Sequence, residues 1–501
     1  MNDRQLFISV AKGMVLLLLA MLACKYTMGG GALVIAVLAF GCALTGRLGW
    51  ALMAYILFPF MVVTNPYLVP KNGITTMVLR LGPMFVTLGL MVAAASRQGR
   101  HELPLGMMWI YLVVAAICSV NGYAPTISYL KVVNCVIFFL GLTIGLRNID
   151  KRPQDVMTVR KFLIVLVAFL VCGSWFVRIF MPGVAYVTSL RAVLEQEGAA
   201  AADVVMREVA ASGGIALFAG ILNQSQALGT VLPCSLAWLA CDMFFVEKRI
   251  SKIHVLILLL GLPLVYMTRS RSAMLTSVVA TAGIYFYCIS KVNIRKSVRQ
   301  KLRTAMTLFG VLVAVAALVM EIKDQSITKW FRKTNDLAAD TRSTTEAFTS
   351  SRQGLIENNM ADFRRNPIFG SGFQVSYDMQ YSMKSREGLV LSASIEKGLL
   401  PLMVLGETGI VGAIVFALYL IVFYSGCVTK RLYCTATLHT VLLVTNLAEA
   451  TYFSPGGIGG IMWVLSVAGG FVIDTIALHH HRLEAIARRQ QLEWQLNAPP
   501  R

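Results

Sequence analysis

Apolar residues run along this chain in long unbroken blocks separated by short polar breaks. About fourteen blocks approach the ~18 residues that a bilayer span requires and a soluble core does not. They cover residues 6–24, 30–46, 48–65, 78–95, 105–120, 127–146, 161–181, 220–246, 252–268, 272–290, 304–321, 398–424, 432–450 and 457–477. The second and third also fit a single re-entrant pair, so twelve and fourteen helices both stay open. The pattern predicts an all-α polytopic membrane protein of about 12–14 transmembrane helices with one large folded loop. The expected organisation is N-terminal helices over 1–181, a first loop over 182–219 and central helices over 220–321. The large loop at 322–397, C-terminal helices over 398–477 and a basic tail at 478–501 complete it.

Composition agrees. Of 501 residues, 57% are hydrophobic and only 14% charged, and the mean hydropathy is +0.68. Too few polar side chains exist to cover a water-soluble globule. The net charge is +20, and the basic residues cluster between spans. Arg147, Lys151, Arg152, Arg160 and Lys161 form one group; Lys248, Arg249 and Lys252 form another. Lys291, Arg295, Lys296, Arg299, Lys301 and Arg303 form a third with no acid among them. Short Lys/Arg-rich loops mark the cytoplasmic face. Placing the third group inside also places the others, 97–101, 430–431 and the tail inside, while 121–126 and 452–456, which lack Lys and Arg, fall outside. Both termini are therefore expected in the cytoplasm. Nucleic-acid binding is not expected, because no basic soluble domain is present to carry it.

The ten cysteines all lie in or at the ends of apolar runs, with no CxxC spacing, and read as small buried hydrophobes. Arg4 and Lys12 before a run ending Leu22-Ala23-Cys24 weakly suggest a lipoprotein leader. An uncleaved first span is the favoured reading, since a second apolar run follows after a short break.

The candidate chemistry lies in the polar minority. Residues 182–212 carry Arg191, Glu195, Glu197, Asp203, Arg207 and Glu208 on the expected outer side. The longest non-apolar stretch, 322–397, contains Trp330, Phe331, Phe363, Phe369, Phe373, Tyr377 and Tyr381, too aromatic for a disordered linker. Thr268-Arg269-Ser270-Arg271-Ser272-Ala273 closes one span and opens the next on the same side. Two arginines there are either snorkelling anchors or an anion cradle of guanidinium forks and hydroxyls. Arg352-Gln353-Gly354-Leu355-Ile356 opens a helical pattern that reaches Phe363-Arg364-Arg365 and stops at Asn366-Pro367. Two glycines, Gly370 and Gly372, follow in a turn. The plain alternative is a helix–turn with three exposed arginines. Glu407 lies about two to three turns inside a span. An intramembrane carboxylate is a functional candidate, although a helix–helix hydrogen bond explains it equally. Lys131, Arg178 and Asp474, near span ends, are expected to snorkel. The His479–His481 run is expected to start a surface helix with Arg482, Arg488 and Arg489 near anionic lipid.

The strings NPIFGSGF at 366–373, LGETGIVG at 405–412 and TRSRSA at 268–273, with an upstream Arg, resemble the O-antigen ligase/polymerase superfamily of bacterial envelopes. Asn223-Gln224-Ser225-Gln226-Ala227-Leu228-Gly229 is similar to its NPN-x-LG segment, although the proline is missing. The resemblance spans about residues 215–425. It implies a GT-C-like, metal-independent glycosyltransferase with no cofactor. The donor would be a glycan on undecaprenyl pyrophosphate at the periplasmic face, transferred with inversion to a hydroxyl of an acceptor glycan or glycolipid. Arg271 and Arg352 would then stabilise the departing pyrophosphate, with Arg269 and Arg207 as second choices and Arg364, Arg365 and Glu407 as further substrate-binding candidates. A chain-length regulator is a further expected partner.

The sequence departs from that pattern in one respect. The ligases typically carry a His about nine residues before the Glu of the ExG string, and here that position is Gly398. Residues 322–397 contain no histidine; the six are His101, His254, His439 and His479–His481. Glu396 stands nearest and is the candidate base, or else a solvated carboxylate paired with Lys397. The missing His favours a polysaccharide polymerase, or a divergent ligase, over a lipopolysaccharide-core ligase. A lipid-linked oligosaccharide flippase is the third reading, weakened by the concentration of charge in an outer loop and not at the membrane midplane.

Overall fold

The computed structural model describes residues 3–27, 29–70, 73–94, 103–149, 152–181, 184–185, 218–247, 251–268, 270, 276, 280, 300, 304, 344–375, 399–447 and 450–497. Among them no strand forms, only one isolated bridge between Thr64 and Leu222. Six helices are long and apolar enough to cross a membrane. The chain is an all-α polytopic membrane protein.

The helices follow the apolar blocks closely. They are α1 (Asp3–Tyr26), α2 (Gly30–Leu44), α3 (Leu48–Val63), α4 (Gly73–Ala94), α5 (Gly106–Cys118), α6 (Pro125–Ile149) and α7 (Pro153–Phe180). After the first loop come α8 (Ser225–Cys241), which runs into a π-helical turn at Asp242–Glu247, and α9 (Lys252–Met267). Then come α10 (Thr344–Arg365), α11 (Leu400–Thr429), α12 (Tyr433–Asn446), α13 (Ile458–Trp463), a π-helical turn at Val464–Ala468 and α14 (Gly469–Asn497). The block at 220–246 starts its helix only at Ser225; residues 221–223 instead pair with residues 63–65 at the end of α3. The blocks at 272–290 and 304–321 lie almost wholly outside the described residues. The tail helix begins inside the last span, since α14 is continuous from Gly469 to Asn497.

Between apolar helices in lipid, close approach replaces the hydrophobic effect as the source of packing energy. Gly89 of α4 leaves room for Phe40 of α2, and Gly145 of α6 for Leu52 of α3. The two ends of the bundle differ in character. At one, Asn65 N–H donates to the Ile221 carbonyl (2.9 Å) and Asn223 N–H to the Val63 carbonyl (2.9 Å). Pro59 of α3 abuts Gly460 of α13, which puts the segment before α13 at this same end. The turn after α10 is there too.

The opposite end is held by buried charge. Arg160 forks onto Asp242 through Nε (2.6 Å) and Nη2 (2.8 Å), and Nη2 also donates to Glu247 (2.7 Å). His254 Nε2 lies 3.0 Å from the same Asp242 carboxylate. The sequence placed Arg160 in a loop cluster. That is corrected: α7 starts at Pro153, about two turns before the apolar block, so Arg160 is intrahelical and buried. The expected snorkelling of Asp474 is corrected as well. Its carboxylate is buried and accepts from the backbone N–H of Cys434 (3.0 Å) and Thr435 (2.8 Å) and from the Thr435 hydroxyl (2.8 Å). It caps the first turn of α12 from across the bundle, satisfying donors that a helix start leaves open. Asp474→Ala is expected to lower stability by about 1–2 kcal/mol, by analogy with lost N-caps. Thermal unfolding in detergent checks this, and an unchanged midpoint would remove the capping role. Arg178, in the last turn of α7, is partly buried and lies over the Trp175 ring, 5.0 Å from its centroid.

Candidate active site

The strings at 366–373 and 405–412 meet in space. α11 is broken at Gly409, whose φ of 63° and ψ of −164° are non-helical. A helix break inside a span strands backbone donors and acceptors that no water can satisfy. The turn after α10 supplies the partners. Ser371 N–H and hydroxyl both donate to the Gly406 carbonyl (2.8 and 3.0 Å), and Gly372 N–H donates to the Glu407 carbonyl (3.0 Å). In return, Ile410 N–H donates to the Pro367 carbonyl (2.9 Å) and Val411 N–H to the Ile368 carbonyl (3.3 Å). Both halves of the broken helix are thus completed by one short turn. The turn needs Asn-Pro to end α10 and glycines to let two backbones touch. Gly370 (φ 73°) lies against the backbone of Glu407 and Thr408, and Gly409 against that of Ile368 and Phe369.

The assembled turn is then anchored to the rest of the bundle. Tyr123 N–H donates to the Ser371 carbonyl (2.9 Å). Phe373 N–H donates to the Ser119 hydroxyl (3.1 Å), and Lys131 Nζ to the Gln374 carbonyl (2.7 Å). The Gln374 side-chain amide donates to the Phe453 carbonyl. The latter segment is tied down by Tyr452, whose hydroxyl lies 2.8 Å from His439 Nε2 and 2.9 Å from the Tyr419 hydroxyl. His439 is therefore a buried member of an aromatic network inside α12, not a solvent-facing group.

The predicted site residues fall into three groups. Arg207, Arg269, Arg271 and Glu396 lie outside the described residues. Arg352 is in α10, about two turns before Asn359, whose backbone borders Gly406 of α11. Arg364 and Arg365 end α10 at the surface; Arg365 is 52% exposed and 3.9 Å from Asp362. Glu407 is 0% exposed, in the wall behind the turn, where its backbone carbonyl receives Gly372. At the other predicted motif, Gly229 of α8 packs directly against Ser270, and Ser270 N–H donates to the Thr268 hydroxyl (3.3 Å). Thr268 and Ser270 therefore seat on the first turn of α8. Residues 255–417 match the family model described as O-antigen ligase.

The match supports the O-antigen ligase/polymerase superfamily. It covers about a third of the chain and contains both halves of the docked turn. It supports a membrane enzyme of the O-antigen ligase/polymerase type, acting in glycosyl transfer in general, on lipid-linked glycan and glycolipid. No curated protein and no solved structure matches the chain.

Ser119, Tyr123, Lys131, Gln374 and Phe453 shape this site and were not among the predicted residues. Lys131 did carry a signal: it is the lone charge in the apolar block 127–146. The expectation that it snorkels is corrected, since it is 1% exposed and points at Gln374.

Proposed function

We propose that the protein transfers a glycan from undecaprenyl pyrophosphate to an acceptor sugar hydroxyl at the outer face of the inner membrane, most simply as a polysaccharide polymerase. The observation that carries this reading is the docking of the turn 366–373 onto the break in α11, within the segment that matches the O-antigen ligase family. It gives a rigid wall at the end of the bundle where α10, with Arg352, meets α11. Both termini then lie in the cytoplasm. In this reading the acceptor oxygen bonds to the anomeric carbon as the bond from that carbon to the pyrophosphate oxygen breaks, with inversion. The acceptor proton passes to Glu396. Negative charge grows on the leaving pyrophosphate, and Arg271 and Arg352 stabilise it as preplaced donors, so the reaction requires no metal. Arg269, Arg207, Arg364 and Arg365 supply secondary contacts to the charged substrates, and Glu407 shapes the wall beneath them. A chain-length regulator would bind outside this catalytic unit.

Arg271→Ala and Arg352→Ala are each expected to lower kcat by about 10²–10³-fold, the usual loss for one stabilising donor, while the protein still inserts. Arg352→Lys should remain severely impaired, because a lysine cannot make the two-pronged grip on phosphate. The assay is extension of lipid-linked repeat units by purified protein in detergent. Full activity in both alanine variants removes these residues from the site. Failure of the intact protein to extend glycans would count against polymerisation and leave ligation or a flippase.

A second reading has its own support. The matching family is described as a ligase, which favours transfer of finished glycan to a lipid A–core glycolipid. Deleting the protein in its source organism separates the two. Loss of modal chain length indicates polymerisation; full-length chains stranded on the lipid carrier indicate ligation.

A further inference from the structure

Two costly features meet at the end of the docked turn. Gln374 has a φ of 55°, one of two non-glycine residues with positive φ among those described. A left-handed conformation is unfavourable for a residue with a Cβ, and it persists where surrounding contacts over-determine it. Gln374 is 7% exposed, and its two ends are held by different elements. Its carbonyl accepts from Lys131 of α6 and its side-chain amide donates to Phe453, before α13. The second feature is Lys131 itself, a cation buried in a span. Burial of an ammonium there is expensive unless its donors are used and a counter-charge is near. Cys135, one turn further along α6, lies on the same face as Lys131. Cys135 in turn donates to the Phe453 carbonyl (3.3 Å), the same acceptor that Gln374 uses. The Phe453 ring stacks on Tyr111 (5.1 Å between centroids) and meets Phe373 edge-on (5.5 Å). Two elements, α6 and the segment before α13, thus hold one residue of the turn, and α5 packs behind Phe453.

Fold stability alone does not call for this arrangement. The backbone bonds of residues 367–372 to α11 already close the helix break, and they need neither a buried lysine nor a strained glutamine. We propose that Lys131 and Gln374 form a clamp that positions the turn 370–374 for transfer, so that the strain at Gln374 is the cost of a fixed turn geometry. They are positioning residues, acting through the turn and not by touching substrate. This inference rests on the glycosyl-transfer reading for its kinetic consequence, while its structural half stands independently.

The decisive variants are Lys131→Met, which keeps the length of the side chain and removes donor and charge, and Gln374→Gly, which removes the side-chain bond and also the strain. A purely structural role predicts that activity and thermal stability change together. The clamp predicts that they separate. Gln374→Gly should unfold no earlier than wild type, yet lose about 30–100-fold in kcat, the scale of a misplacement of roughly 1 Å, with KM for the lipid-linked donor changed less than about threefold. Lys131→Met should show the same split. Should it fail to fold, Gln374→Gly carries the test alone. Wild-type kcat in Gln374→Gly overturns the proposal, as does a loss of kcat matched by a fall in thermal midpoint. Hydrogen exchange over residues 366–375 in detergent provides a readout independent of the reaction: amide protection is expected to fall about tenfold or more in Gln374→Gly. Unchanged protection overturns the clamp whatever the activity shows. If the wild type extends no glycan but protection falls in the variant, the functional reading fails and the clamp stands.

Discussion

Alanine at Gly370 or Gly409 is expected to dismantle the docked turn and to abolish glycan extension. At Gly370 the new Cβ would sit 2.5 Å from Thr408 N and closer still to the Glu407 carbonyl; at Gly409 it would sit 2.7 Å from Phe369 N and closer to the Ile368 oxygen. These obstacles are backbone atoms, which cannot swing aside as a side-chain tip can. The conformations add to the cost. Gly370 is left-handed, and Gly409 combines φ 63° with ψ −164°, a region essentially reserved for glycine. A left-handed residue costs about 1–2 kcal/mol and overpacking a further ~1–3 kcal/mol, so a loss of about 3 kcal/mol or more is expected for each. Separation of the turn from α11 would also leave the carbonyls of Gly406 and Glu407 unsatisfied within the membrane. The thermal midpoint in detergent and the extension assay check this together. Gly41→Ala is the control: nothing lies within 4 Å of its Cβ position, and in α2 the change should be neutral or stabilising by about 0.5–1 kcal/mol. If Gly370→Ala behaves like Gly41→Ala, the docked turn does not exist as described.

Arg160→Met is the other large effect. It leaves Asp242 and Glu247 facing each other in a buried site with their shared guanidinium removed. Breaking a buried pair in this way typically costs about 3–5 kcal/mol, because the remaining charge has no compensation. The variant should express poorly and unfold well below wild type. The triple variant Arg160→Met, Asp242→Asn, Glu247→Gln should recover much of that loss, since replacing every charge removes the uncompensated one. His254, 3.0 Å from Asp242, then has a neutral amide as its neighbour. Activity per folded molecule is expected to survive, because the cluster lies at the end of the bundle opposite the turn. A wild-type midpoint in the single variant would show that the ion pair contributes nothing.

The match between apolar blocks and helices has a simple cause. A span must satisfy every backbone group internally and face lipid with apolar side chains, so it is written locally in the sequence. Residues 30–46 and 252–268, for example, became α2 and α9 with boundaries shifted by two residues or fewer. The motif strings were legible too, because Asn-Pro, paired glycines and an intramembrane Glu are unusual against an apolar background. Charged residues near span ends were misjudged more often. Lys131, Arg160 and Asp474 read as boundary or loop charges, and each turned out to be buried and paired. Position along a span says how far a charge is from water along the axis. It does not say whether another helix stands between that charge and the water.

The amino-acid order alone thus determined that this is a many-helix membrane protein and which short strings depart from that background. It did so because helix formation in lipid depends on neighbours a few residues apart. Only the tertiary structure decided that Gly370 lies against the backbone of Glu407 and Gly409 against that of Ile368, that one turn completes both halves of a broken span, and that Lys131 reaches Gln374. Those contacts join residues tens to hundreds of positions apart, and their energies come from backbone approach and buried charge, which no local pattern encodes.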